Sequence, residues 1–499
     1  MKGFITRFMS IACVIAALGS LPLFANGEGE AENIDELTMY LIGEPHRDTD
    51  AVIEELNTMM AEDIGATLKV NYLPWGDWRT KYPLLFASGE KFDLIYTSDW
   101  AFYFREARNG AFLDITDLAK EVTPELYGSL PADAWNQTLI DGRSYMIPSN
   151  SPEYDGYGFL YRKDLAQKYG LKSDITSLAD LERYLEAVKS NEPSMIPYNA
   201  GTWDLRLIEL MFSGLKSEVY LPVINEDWNI FVDMANLDGP LTIDEYDPEF
   251  KAFASTMRQW QQKGFWSKNV MSNQIGSRDA FENGTSAIAL CNSVNFNNLY
   301  QNTSERHPDW EFGYFDFYQD KPVRLIFPYI SNGMGINRNA SHPEKALKLL
   351  EKLHMDDRYY NLTQYGQEGV HYVVEDGKMA FPEGFDSADG WSFTAWGWNE
   401  VSKLLPSKND WEHWLELQEA YGHKKAVNPI GDFSFDETPI ESEIAAVSNV
   451  MAQYKTPLYW GLVEPEAGLA ALHEQLELAG YSKIIEEAER QYRAYRSGK

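Results

Sequence analysis

Cysteine is nearly absent from this 499-residue chain, which holds only Cys13 and Cys291. Two thiols exclude a disulfide framework, and they exclude a cysteine-based zinc site, since structural zinc needs several thiolates at close spacing. Histidine is also scarce: eight residues are scattered along the chain, and His473-Glu474 has no second histidine at metalloprotease spacing. Basic residues are outnumbered, with 43 Lys and Arg against 76 Asp and Glu, a formal charge of −33. Such a surface releases no counterions from a polyanion, so nucleic acid is excluded as a partner. No G-x-S-x-G elbow and no Walker loop occurs, and Gly333-Met334-Gly335 lacks the third glycine of a dinucleotide-binding turn. A glycosidase needs only two opposed carboxylates, a pair that 76 acids neither supply nor refuse. The acidic run Asp244-Glu245-Tyr246-Asp247 lacks the spacing and central glycine of an EF-hand, and reads as a solvated face. No metal, cofactor or catalytic residue is expected.

What is present begins with an export signal. Lys2 and Arg7 precede an apolar stretch over 8–23, and Ala25 stands before a polar run, the layout of a secretory leader over residues 1–25. The stretch is shorter than the ~20 residues that span a bilayer. Cys13 lies inside it, where it cannot act as a lipid-anchor cysteine, so a soluble periplasmic or extracellular protein is expected. Its remaining thiol, Cys291, should be buried or unreactive.

The first hundred residues alternate between periods. Strand patterns at 37–42, 66–73 and 92–96 enclose helical patterns at 49–64 and 79–87. This order defines an open, mostly parallel α/β sheet, whose ligands bind beyond the strands' carboxyl ends. A further strand at 157–161 leads into helices at 163–169, 177–189 and 250–263 and a buried strand at 286–290. The C-terminal third reads as helices at 342–353, 439–454, 468–479 and 481–495. In the last, Tyr481, Ile484, Ile485, Ala488, Tyr492 and Tyr495 share one stripe. No linker or repeat divides the chain, so its domains share a tight interface or exchange segments.

Aromatics are abundant: 15 Trp, 29 Tyr and 25 Phe make 14% of the chain. Trp75, Trp78 and Trp100 follow strand ends, Tyr154 and Tyr157 flank Asp155, and Trp391, Trp396 and Trp398 crowd a Gly/Ser/Asp-rich segment. Rings in loops at the ligand edge of a sheet suit sugars, whose C–H faces stack on them while Asp, Asn and Glu bind hydroxyls. Packing beneath the loops is the alternative for each ring singly.

Several stretches resemble extracellular solute-binding proteins of ABC importers, the family 1 type that includes maltose-binding protein. They are Phe92-Asp93-Leu94-Ile95-Tyr96-Thr97-Ser98-Asp99-Trp100, Asn109-Gly110-Ala111-Phe112-Leu113-Asp114, Asp141-Gly142-Arg143-Ser144-Tyr145-Met146-Ile147-Pro148, Ala280-Phe281-Glu282-Asn283-Gly284-Thr285-Ser286-Ala287 and Gly335-Ile336-Asn337. Tyr360 to Tyr372 and Phe435 to Val447 are similar to a longer subgroup with a DUF3502-type C-terminal region. The resemblance implies the periplasmic binding protein type 2 fold: two α/β lobes, each a mostly parallel mixed sheet flanked by helices, with a ligand cleft at the hinge. Lobe 1 would comprise 26–147 and 275–328, and lobe 2 148–274 and 329–499, with crossings near 147–151, 270–275 and 327–333. It implies a receptor, not an enzyme, that binds a small solute such as an oligosaccharide and presents it to membrane permease subunits, acting as a monomer. A peptide or other non-sugar ligand, a secreted glycoside-active enzyme, and a sensory role remain the alternatives. Carried over by position, the expected ligand contacts are Glu44, Trp75, Thr97, Ser98, Asp99 and Trp100, then Asn150, Tyr154, Asp155, Asn292, Ser293, Asn295, Trp396 and Trp398.

Overall fold

The computed structural model describes residues 34–151, 153–225, 228–385 and 390–498. The leader expected over 1–25 lies outside the described residues. The strands that position the site are, in chain order, β1 (Asp35–Ile42), β2 (Ala66–Leu73), β3 (Leu94–Thr97), β4 (Met146–Pro148), β5 (Tyr157–Arg162), β6 (Ile288–Asn292), β7 (Phe312–Asp316) and β8 (Gly333–Ile336).

Lobe 1 is built on a five-stranded sheet in the order β2-β1-β3-β8-β4. β1 runs parallel to β2 and β3, and β8 lies antiparallel between β3 and β4. The helices between the strands bury their apolar stripes against it, as Val52, Leu56 and Met60 do from Thr49–Asp63. The Gly333-Met334-Gly335 sequence is a packing device rather than a nucleotide turn. A Cβ on Gly333 would come within 2.5 Å of the Ile147 carbonyl oxygen, and one on Gly335 within 2.9 Å of the Phe112 ring.

Lobe 2 differs from the expected mostly parallel sheet. Its three strands run β6-β5-β7, with both outer strands antiparallel to β5. β6 and β7 are joined through the helix Asn295–Arg306, which carries the chain across β5 rather than back beside β6. A hairpin, Tyr220–Asn225 with Asn229–Asp233, and the helices Leu178–Asn191, Phe250–Lys263, Pro465–Ala479 and Tyr481–Ser497 complete one large core. Ser177 caps the first of these helices, accepting the Asp180 N–H at 3.1 Å. Tyr481, Ile484, Ala488 and Tyr492 are buried as their stripe requires.

The sheets correct the assignment of the returning segments. Residues 275–328, expected in lobe 1, belong to lobe 2, because the apolar run of β6 and the whole of β7 pair with β5. The region 329–398, expected in lobe 2, returns to lobe 1, where β8 fills the gap between β3 and β4. There the helices Pro343–Met355 and Asp357–Tyr365 add Leu347, Leu350 and Leu362 to the same core. The acidic run at 244–247 is also not the solvated face expected: Glu245 is buried and accepts the Tyr459 hydroxyl at 3.1 Å.

The chain crosses between lobes at 149–156, 326–332 and 399–411, and not near 270–275. The crossings are stitched together by backbone hydrogen bonds. Ser149 N–H donates to Asn332 at 2.9 Å, Asn150 N–H to Asn399 at 2.8 Å, Val401 N–H to Asn150 at 2.8 Å, and Phe327 N–H to Glu153 at 2.8 Å. Beneath them Arg324 pairs with buried Asp316, which also accepts the Tyr421 hydroxyl at 2.9 Å.

Candidate functional site

Between the lobes lies a cleft of about 1300 Å³, lined by both of them and by the crossings. That exceeds the ~300–1,000 Å³ of small-ligand pockets and leaves room for several linked rings.

The lobe 1 wall follows from where its strands end. β2 runs out at Leu73 into the loop bearing Trp75, and β3 runs out at Thr97 into the loop bearing Asp99 and Trp100. Trp75 and Trp100 stack at 6.3 Å and 21°, Trp396 lies 5.5 Å from Trp75, and Trp78 stands edge-on to Trp100 at 5.6 Å. The Trp100 indole N–H donates to the Ser331 carbonyl at 2.8 Å, which ties this wall to a hinge crossing. All four rings line the cleft and hold one another's orientation.

The lobe 2 wall mixes polar and apolar side chains. β6 ends at Asn292, whose side-chain oxygen accepts the N–H groups of Val294 at 3.2 Å and Asn295 at 2.7 Å. This turn sets Asn295 and Asn298 on the cleft from the first turns of the helix Asn295–Arg306. Opposite them the hairpin contributes Tyr220 and Phe231.

Two carboxyl groups on the first crossing line the floor. Burial pushes Glu153 up to about 7. Burial also raises Asp155 to about 7, against the opposing pull of Arg324 and Lys321, while its Oδ1 accepts the Leu325 N–H at 3.0 Å. Near neutral pH both groups can donate as well as accept hydrogen bonds, which suits hydroxyl ligands.

Of the residues expected at the site, Trp75, Asp99, Trp100, Asp155, Asn292, Asn295 and Trp396 line the cleft. The remainder stand elsewhere. Glu44 is exposed on the loop after β1. Thr97 and Ser98 are wholly buried, and the Thr97 hydroxyl donates to the Ala101 carbonyl at 3.1 Å. Asn150 donates to both carboxylate oxygens of Glu400 at 3.0 Å, so it braces two hinge crossings. Tyr154 packs against Tyr421 at 6.0 Å, and the Ser293 hydroxyl donates to the Tyr154 carbonyl. Trp398 is wholly buried, with its indole N–H on Thr363 Oγ1 at 3.0 Å. Not anticipated were Glu153, Asn298, the hairpin residues Tyr220 and Phe231, and Phe433 and Phe435 of the C-terminal region. The paired rings Phe433 and Phe435 in a loop carry the same signal as Trp396 and Trp398.

Among the described residues, His46, Asp48 and His371 bring three potential metal ligands within 4.8 Å of one another. The hydrogen bonds argue against a metal there. His371 Nδ1 accepts the Gln367 N–H at 2.9 Å, which leaves the ring proton on Nε2, facing Asp48 Oδ2 at 3.2 Å. A metal on Nε2 would force that proton onto Nδ1, against the Gln367 N–H. The trio therefore acts as a brace between the β1 loop and the 371 segment. No helix of the described residues is long and apolar enough to cross a membrane. Cys291 is buried, and burial pushes its thiol up to about 11.

Two lobes joined by a stitched hinge, with a cleft walled by both, define a protein that closes around a solute. The chain belongs to the bacterial extracellular solute-binding protein family, which matches residues 47–353. A domain of unknown function, DUF3502, matches residues 429–497. A carbohydrate ABC transporter substrate-binding protein of Streptococcus pneumoniae serotype 4 is 25% identical over 97% of this chain and 96% of its own length. Among solved structures, the N-glycan transport solute-binding protein of Streptococcus pneumoniae superposes with a TM-score of 0.75 at 22% identity, covering 92% of this chain and 99% of that one. Its complex with Man5GlcNAc gives a TM-score of 0.73 at 22% identity, over 93% and 99%.

Proposed function

We propose that this chain is the solute receptor of an ABC importer, capturing an oligosaccharide between its lobes and delivering it unchanged to a membrane permease. The observation that carries the reading is the complementary pair of walls: Trp75, Trp100 and Trp396 on lobe 1, and Asn292, Asn295 and Asn298 on lobe 2. Rings take the apolar faces of a pyranose, and amides take its hydroxyls. A ligand that touches both walls favours closure, and it shifts the lobes by as much as its affinity for the closed state exceeds that for the open one. Both walls come from one chain, so a monomer suffices. The leader expected over 1–25 would deliver the protein to the periplasm or cell exterior. The relatives' ligands make neutral glycans of mannose and N-acetylglucosamine the first class to try.

The raised carboxyls of Glu153 and Asp155 favour one rival, a glycoside-active enzyme. A retaining or inverting pair needs one ionised partner beside the acid, whereas burial raises both of these groups alike. The test is a thermal-shift screen of residues 26–499, unfolded and refolded to strip ligand, against glycans, amino acids and short peptides. A ligand at 100 Kd stabilises by about 2.7 kcal/mol. A rise with glycans and no product supports the receptor reading; a rise confined to peptides, or appearance of cleaved glycan, refutes it.

A further inference from the structure

The helices of the DUF3502 region pack onto lobe 2, but the segment that leads into them, 428–437, runs along the cleft. Ile430, Phe433, Phe435 and Glu437 line it. The segment is anchored from behind. Asp436 N–H donates to Gln491 Oε1 at 2.8 Å, Gln491 Nε2 donates back to the Asp436 carbonyl at 2.7 Å, and the Phe433 ring packs on Tyr492 and Tyr495 at 5.6 and 5.1 Å. In front it meets lobe 1. The Arg108 guanidinium, from the helix Tyr103–Arg108, donates to the Phe435 carbonyl at 2.7 Å and to the Ser434 carbonyl at 3.2 Å, and it also reaches Ser434 Oγ. Arg108 itself lines the cleft, and the negative charges of Asp436, Asp141 and Glu437 act on it there.

We propose that residues 428–437 form a strap that runs from beside the hinge across the cleft, with Arg108 as the catch on lobe 1. The proposal rests on the glycan-receptor reading of the same cleft. The hinge joins the lobes through covalent chain; the strap joins them through one guanidinium held mainly by main-chain carbonyls, a contact that breaks when the lobes part. A glycan bound behind it cannot run on past Arg108, so on that side the ligand presents a chain end rather than the middle of a polymer. The C-terminal region thereby helps to choose the ligand and to hold the closed state, and Arg108 is a positioning residue.

The test uses the full mature chain carrying nitroxide labels at Lys91→Cys on lobe 1 and Lys268→Cys on lobe 2, both exposed. In the ligand-free chain, Arg108→Ala lengthens and broadens the interlobe distance, Arg108→Lys does so less, and Ser434→Ala leaves it unchanged because both carbonyl bonds remain. With Man5GlcNAc as probe, Arg108→Ala raises Kd tenfold or more through faster release, and Ser434→Ala raises it less than threefold. Distances that ignore Arg108→Ala overturn the strap, and a loss of affinity without a distance change overturns it too, by making Arg108 a direct ligand contact. Distances that respond in a chain that binds no glycan support the strap and refute the glycan reading. Unchanged melting of ligand-free Arg108→Lys shows that the effect is not one of folding.

Discussion

The two lobes offer the cleft different chemistry, and the difference begins in how their sheets end. In lobe 1, parallel strands point the same way, so β2 and β3 deliver Trp75, Asp99 and Trp100 to one edge. In lobe 2, β6 and β7 both run against β5, so both end at the edge where β5 begins, beside Tyr157 on the cleft. That wall is assembled from the strand ends at Asn292 and before Tyr318, a helix start at Asn295, a hairpin, and the strap. The first lobe thus offers a preformed, interlocked ring surface, and the second a set of separately mounted polar groups and outlying rings. Rigid apolar area gives affinity at little entropic cost, while amides that pair only with the right hydroxyls give selectivity.

This contrast can be broken at chosen points. The largest effect should come from Trp398, which lies beside the ring surface but faces away from the cleft. Trp398→Ala should destabilise lobe 1 by about 3–5 kcal/mol in urea unfolding, and leave the ligand affinity of the folded protein within twofold. A loss of affinity comparable to that of Trp100→Ala would mean that the buried and the exposed rings are not separable. Next in size is a pH effect at the floor. Folded Glu153 titrates near 7 against an ordinary 4.5, so the folded state holds a proton that the unfolded chain gives up across that window. Stability therefore falls as pH rises from 4.5 to 7, and levels off above. Glu153→Gln should remove its share of that fall, a gain of up to about 3 kcal/mol at pH 8, read from unfolding at pH 5, 6, 7 and 8. The share of Asp155, also raised to about 7, remains. An unaltered pH profile would place Glu153 in water.

Trp100→Ala should then raise the glycan Kd about 100-fold, the ~2.7 kcal/mol of an anchoring ring. Asn295→Ala, which removes one polar group from the other wall, should raise it about tenfold. It should also narrow the preference among epimers differing at one hydroxyl, seen in competition titrations. Equal losses from both substitutions, with selectivity retained, would erase the division of labour.

Much of lobe 1 was legible in the sequence. The strands at 37–42 and 66–73 and the helix at 49–64 stand within two residues of where they were expected, because each is a complete, uninterrupted period. Which segment returns to which lobe was not legible. β6 and β8 are short apolar runs that either sheet could accept, and only the pairing register and the glycines of β8 decide between them. The same limit explains the site. The Trp75 and Trp100 loops follow readable strand ends, whereas Thr97, Ser98 and Trp398 have the right residue types in the right segment but point into the core. Spacing alone did not separate Trp396, on the cleft, from Trp398, buried two positions on. The hairpin Tyr220–Asn225 with Asn229–Asp233 and the strap carry rings in stretches without a clean period, and so they escaped notice.

The central claim is that one glycan is held between a ring wall and an amide wall of a single chain. Calorimetric titration of Man5GlcNAc into the refolded mature protein at two temperatures tests it directly. The account predicts one site per chain, favourable enthalpy and a negative heat-capacity change, as buried rings and paired hydroxyls require. Absence of heat with this and related neutral glycans, alongside saturable heat with peptides, would contradict it.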